Sequence, residues 1–192
     1  MGLLDALFGG GSKLKAPAPD RLFAMTTAHV TLETELDLHS RGVAGIVFQP
    51  LSTADFTALV REAEELLASA AEDTGSRVES ADDSHGYRWI KVRDSDFEDL
   101  VVSLNLISSQ LQSGGYGDRL LACVFPFTQG TGGRSVHFIY NFKRGSFYPF
   151  VPAGGPHARD NEEELRLKAQ VGGELPIEPD LTRWFPLWDV PL

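Results

Sequence analysis

Apolar residues alternate most clearly over positions 134–152, RSVHFIYNFKRGSFYPFVP. Val136, Phe138, Tyr140 and Phe142 fall on every second residue, with Ser135, His137 and Asn141 between them. A strand sends successive side chains to opposite faces, so the pattern predicts a strand with one apolar and one mostly polar face. Lys143-Arg144-Gly145-Ser146 reads as a turn and 147–151 as a returning strand. Pro149 cannot donate to a ladder, which places the returning strand at a sheet edge.

Elsewhere the period changes to that of a helix. Phe56, Leu59, Val60, Ala63, Leu66, Leu67 and Ala70 make one apolar stripe, opened by the polar cap residues Ser52 and Thr53 and closed by Gly75. Phe97, Leu100, Val101, Leu104, Ile107 and Leu111 make a second stripe, opened by Asp94 or Ser95 and stopped near Gly114. A third helix follows Asp160, with Glu163 at the capping-box position and Gly172-Gly173 at its end. Strands are expected at 43–48, at 77–81 and 87–92 as a hairpin, and at 120–127, whose unbroken apolar run predicts burial on both faces. Leu22, Phe23, Met25, Ala28 and Val30 have mixed spacing, read as a short helix near 20–25 and then an irregular or extended arm.

The first eight residues, MGLLDALF, carry Leu3, Leu4, Leu7 and Phe8 at helical spacing, and GGGSKLKAPAP after them reads as a flexible linker. The chain therefore divides into an amphipathic segment with its linker, 1–19, and one domain, 20–192. The predicted fold class is α+β: a largely antiparallel sheet with two amphipathic helices on one face, a short N-terminal helix and a Pro/Trp-rich C-terminal wrap. That wrap, ELPIEPDLTRWFPLWDVPL, should bury Trp184, Phe185 and Trp188.

Charge narrows the partners. The 192 residues carry a formal net charge of −10, which argues against nucleic acid, since phosphate binding draws on clustered Lys and Arg. No apolar run approaches the roughly 20 residues of a spanning helix. Neither does the chain open with a secretory signal. The lone Cys123 fits a reducing cytoplasm, and its apolar neighbours mark it as core rather than nucleophile. Asp82, Asp83 and His85 resemble a metal cluster, but their spacing matches no standard site and fits an acidic hairpin tip better. Glu64-Glu65 reads as a solvated helix face, and His29 and His39 as surface or capping histidines. His157 to Asp160 could offer an anion a helix start, although Asp160 itself suits that cap. No catalytic motif, cofactor or metal site is expected.

MGLLDALFG at the start, YNFKRGSFYPFVP in the middle and RWFPLWDVPL at the end resemble the PspA-associated protein PspAB family of actinobacteria and archaea. The resemblance covers nearly the whole chain and brings no catalytic residues with it. It implies a role beside PspA, a coiled-coil protein that coats stressed membranes, and a link to an HtpX-like membrane protease. The zincin motif H-E-x-x-H is missing, so the chain is not itself that protease.

The expectation is a non-enzymatic adaptor of the envelope, or phage-shock-type, stress response. It would be cytoplasmic, with peripheral contact at the inner face of the plasma membrane. Leu3, Leu4, Leu7 and Phe8, together with an exposed edge at Phe147, Tyr148 and Phe150, would meet PspA or a membrane-associated partner. The alternative is a small-molecule binder or enzyme whose pocket is framed by His137, Tyr140, Lys143, Arg144 and Tyr148.

Overall fold

The apolar run at 120–127 becomes β5 (Leu120–Gln129), the middle of a seven-stranded antiparallel sheet. The computed structural model describes residues 21–131, 133–188 and 190–192. The predicted amphipathic segment and linker, with Leu3, Leu4, Leu7 and Phe8, lie outside the described residues. The other strands are β1 (Leu38–Ser40), β2 (Val43–Phe48), β3 (Arg77–Asp82), β4 (Arg88–Arg93), β6 (Ser135–Asn141) and β7 (Ser146–Phe150). Their order is β3-β4-β2-β5-β6-β7, and β1 pairs with the far end of β5. β1 and β2 follow one another along the same side of β5, parted by Arg41 and Gly42. Gly42 sits at φ +65°, and a Cβ there would lie 3.1 Å from the Asp94 carbonyl oxygen. Only glycine meets both demands without strain.

Among the described residues four α-helices accompany the sheet: α1 (Ala24–Thr34), α2 (Ala54–Thr74), α3 (Phe97–Ser113) and α4 (Asn161–Val171). α2 ends as expected on Gly75 in the left-handed region. The cap of α3 is Asp96, whose carboxylate accepts from the Glu98 amide at 2.8 Å, while Asp94 accepts from the Asp96 amide one step earlier. Asp160 caps α4 by accepting from the Glu163 amide at 3.0 Å.

α1 corrects the expectation of an extended arm after residue 25. Leu22, Met25, Ala28 and Leu32 are fully buried, a three-three-four spacing that is one helical stripe. Phe23 and Val30 hid it. They are apolar but exposed, at 37% and 60%, and they blur the period.

The sheet is covered on both sides, by different means. All four helices, rather than two, pack on one face: Met25, Phe56, Leu104 and Leu167 share a single core with Ile46, Ile90, Phe125 and Phe138. On the other face the C-terminal residues lie as a strap over Val47, Trp89, Val124, Ile139, Tyr148 and Phe150, burying Trp184 and Leu187 and half-burying Phe185 and Trp188. The predicted wrap is therefore present. The mostly polar face of β6 does not meet solvent, however, because the strap covers it; His137 and Asn141 are both buried. Gly45 in β2 makes room for the strap, since a Cβ there would come within 2.7 Å of Leu192 Cδ2.

β7 is the last strand of the ladder, as Pro149 required, but it is not an exposed edge. The Phe147 amide donates to Pro176 O and the Glu178 amide donates to Phe147 O, each at 2.8 Å. Every residue of β7 is buried. At the opposite edge, β3 is exposed at five of six residues. Among the described residues, no helix is long and apolar enough to cross a membrane.

Candidate functional site

The hairpin residues proposed for a pocket do not converge. Residues three apart on a strand point to opposite faces, and β6 obeys this at His137 and Tyr140. Tyr140 lies in the helix-side core between Phe142 and Phe147, with ring centroids 5.1 and 4.8 Å away. Burial pushes its phenol well above the usual range. His137 lies on the strap side, stacked on Phe150 at 6.0 Å. Its Nε2 is 3.3 Å from Ser135 Oγ, and its Nδ1 has no hydrogen-bond partner among the described residues. Burial first, and the Arg41 charge second, lower its pKa to about 4, so the ring is neutral near pH 7. Tyr148 points to the strap as well, donating from its hydroxyl to Phe185 O at 3.0 Å. The expected pocket is thus replaced by two separate packing environments.

The expected partner-contact residues of the edge are placed inside too. Phe147 and Tyr148 are fully buried and Phe150 is 1% exposed. The reason is the strap: alternate β7 side chains pack against helices or strap, and the 176–178 segment occupies the ladder edge.

Three other candidates resolve into structural roles. Asp83 closes the β3–β4 turn, accepting from the His85 and Tyr87 amides and from Trp89 Nε1 at 3.0 Å or less. Asp82 holds Arg88 through two bonds of 2.7 and 2.9 Å. Cys123 is fully buried, and desolvation raises its thiol well above the ordinary value. Among the described residues, no group of three or more His, Cys, Asp or Glu stands close enough to hold a metal ion.

A polar arrangement around Arg159 and Glu164 had no signal in the local sequence pattern. Glu164 lies in the first turn of α4 among three consecutive acids, yet it is 2% exposed. Its carboxylate accepts from Arg159 Nε at 3.0 Å and Nη2 at 2.7 Å, and from the Val151 amide at 2.9 Å. Desolvation outweighs these donors and holds its pKa above the usual value. Arg159 also donates from Nη1 to Trp184 O at 2.8 Å and lies over the Phe150 ring at 5.5 Å. One ion pair therefore ties β7, α4 and the strap together. Beside it is a cavity of about 300 Å³, with the exposed side chains of Leu165 and Leu181 at its rim and Trp184 as a wall.

A second cluster surrounds the β6–β7 turn. Asn141 shapes the turn, accepting from the Lys143 amide at its Oδ1 and from the Gly145 amide at its carbonyl. Arg21, the first described residue, donates from Nη1 to Gly145 O at 3.2 Å. Arg21, Lys143 and Arg144 thus stand at one end of the sheet. Burial and the neighbouring Arg144 lower the Lys143 pKa, with Asp118 opposing. The only sequence signal for this cluster was the Lys143-Arg144 pair; Arg21 joins it through a contact 124 residues distant in the chain.

Together these features define the class: an α+β protein with one antiparallel sheet, four helices on one side and a C-terminal strap clamped over the other. The chain belongs to the PspA associated protein B family, whose model matches residues 1–192. Comparison with curated proteins and with solved structures finds no match.

Proposed function

We propose that the protein is a non-catalytic accessory factor in a PspA-linked envelope-stress response, and that it docks through its N-terminal apolar segment. Membership of a family described by its association with PspA supports the link. The observation that carries the docking mode is the burial of Phe147, Tyr148 and Phe150. With the aromatic ribbon committed to its own core, Leu3, Leu4, Leu7 and Phe8 become the apolar set offered to a partner. Their helical spacing in the sequence suits the groove of a coiled-coil partner, where an amphipathic segment lays its apolar side. The GGGS stretch supplies a tether that lets this segment engage without moving the domain.

The test is capture of purified PspA without lipid. Deleting residues 1–12, or introducing Leu4→Glu with Leu7→Glu, should abolish capture while leaving the thermal melt unchanged. Undiminished capture by both variants would overturn the docking mode.

A further inference from the structure

We infer that the cavity between α4 and the C-terminal strap binds a small organic anion, a monocarboxylate carried on an aromatic or branched apolar body. Its volume of about 300 Å³ lies at the lower end of small-molecule sites. The hydrogen-bonding capacity left on its buried ion pair is all of one kind. Glu164 has none to spare: Oε1 accepts from Arg159 Nε and from the Val151 amide, and Oε2 accepts from Arg159 Nε and Nη2. Those contacts use the roughly four lone-pair sites of a carboxylate. Arg159 is not used up. Of the five N–H groups a guanidinium carries, Nε, Nη1 and Nη2 give one each to Glu164 and Trp184 O. One N–H on Nη1 and one on Nη2 have no acceptor among the described residues. The start of α4 is already capped by Asp160, so these donors are side-chain groups and not helix amides.

The rest of the cavity suits an apolar body. Trp184 forms one wall, and Leu165 from α4 and Leu181 from the strap stand exposed at the rim. The Trp184 indole is fixed before any ligand arrives. Its Nε1 donates to Glu178 O at 3.0 Å, its carbonyl is held by Arg159 at 2.8 Å, and Tyr148 stacks with it at 6.2 Å. Packing a ligand on a wall that is already ordered costs little entropy. Lys168, one helical turn beyond Glu164, holds its ammonium 5.7 Å from the centre of the same ring. It stands in no ion pair among the described residues. Asp160 and Glu163, by contrast, are engaged by Arg134, and Asp180 by Arg183. A ligand carboxylate meets the unused Arg159 donors and the Lys168 charge, while its apolar part covers Trp184, Leu165 and Leu181. Hydrogen bonds from a guanidinium to a carboxylate are charge-assisted and correspondingly strong. An amine in the same place finds no acceptor left on Glu164 and faces the Lys168 charge.

This site does not depend on the docking role proposed above, and its test uses the full chain without PspA. The probes are phenylacetate, its neutral isostere phenylacetamide, benzylammonium and acetate. A ligand of about ten heavy atoms at ordinary small-ligand efficiency binds with a Kd on the order of 1 mM. Phenylacetate at about 10 mM should therefore raise the melting temperature by about 3–6 °C. Its amide shifts in a two-dimensional NMR titration should centre on residues 159–168 and 181–184. The other three probes each lose the charge, its sign or the apolar body, and should bind about tenfold more weakly or worse. Leu181→Glu sets a carboxylate at the rim and should weaken phenylacetate binding by about tenfold, and Lys168→Gln should weaken it by about threefold. Neither change touches the Arg159–Glu164 pair, so both variants should fold. Equal binding of phenylacetate and phenylacetamide, shifts centred elsewhere, or undiminished binding by both variants would overturn the inference. So would no melting shift with phenylacetate, or an equal response to acetate, the mark of an adventitious ion only.

Discussion

Two buried polar residues, Glu164 and His137, carry charge chemistry that surface arguments would miss. Arg159 and Glu164 form a pair that is worth little against a well-packed apolar substitute, yet is costly to break from one side. Glu164→Ala strands the guanidinium and the Val151 amide together. It should destabilise the fold by about 3–5 kcal/mol, read as a lowered urea midpoint, and Arg159→Met with Glu164→Leu should recover part of that loss. His137 acts through its proton. Its folded pKa is lowered to about 4, against about 6.5 when unfolded. The folded state therefore favours the neutral ring, and stability is lost as pH falls below 6.5, with the loss complete near the folded value. Between pH 7 and 5 this linkage costs about 2 kcal/mol. His29, also lowered by burial and stacked on Phe97 at 3.9 Å, works in the same direction. Urea titrations at the two pH values should show a smaller acid loss in His137→Leu than in the parent. An equal loss would place the acid sensitivity elsewhere.

At the scale of elements, the strap is the piece whose removal says most. Ending the chain after residue 183 takes away Trp184, Leu187 and the carbonyl that Arg159 holds, and uncovers Trp89, Tyr148 and Phe150. Burial of the Trp and Leu side chains alone contributes several kcal/mol at about 1.5–3 kcal/mol or more each. The truncated protein should bind a hydrophobic dye and lose its near-ultraviolet circular dichroism while keeping much of its helix signal. Most elements were legible in the sequence because their apolar residues keep one period. α2, α3 and α4, the 77–93 hairpin and the 134–151 ribbon all follow local pattern and capping rules. α1 was not, because exposed Phe23 and Val30 break the stripe. The cover over β6 was not either. Alternation told which side chains share a face, but only the fold shows that the face with His137 and Asn141 lies beneath the strap. The Arg159–Glu164 pair was hidden for a similar reason: NEEEL looks like any solvated first turn until β7 and the strap close around it.

For the molecule as a whole, the two faces of the sheet are spent on its own chain and the ends are left for other business. Composition spoke correctly to the broad class, and the strings at the start, middle and end spoke to the family. Neither located the positive end. That surface exists because Arg21 meets the β6–β7 turn, and no local pattern encodes a contact between residues so far apart. The two rims of the sheet are also unequal. β7 is sealed by main-chain bonds to 176–178, whereas among the described residues no strand pairs with the outer side of β3. A sheet with one open rim accepts a single neighbour there. Any self-pairing through the β3 rim would therefore stop at a symmetric pair, because the far rim, sealed by 176–178, presents no template for a third copy.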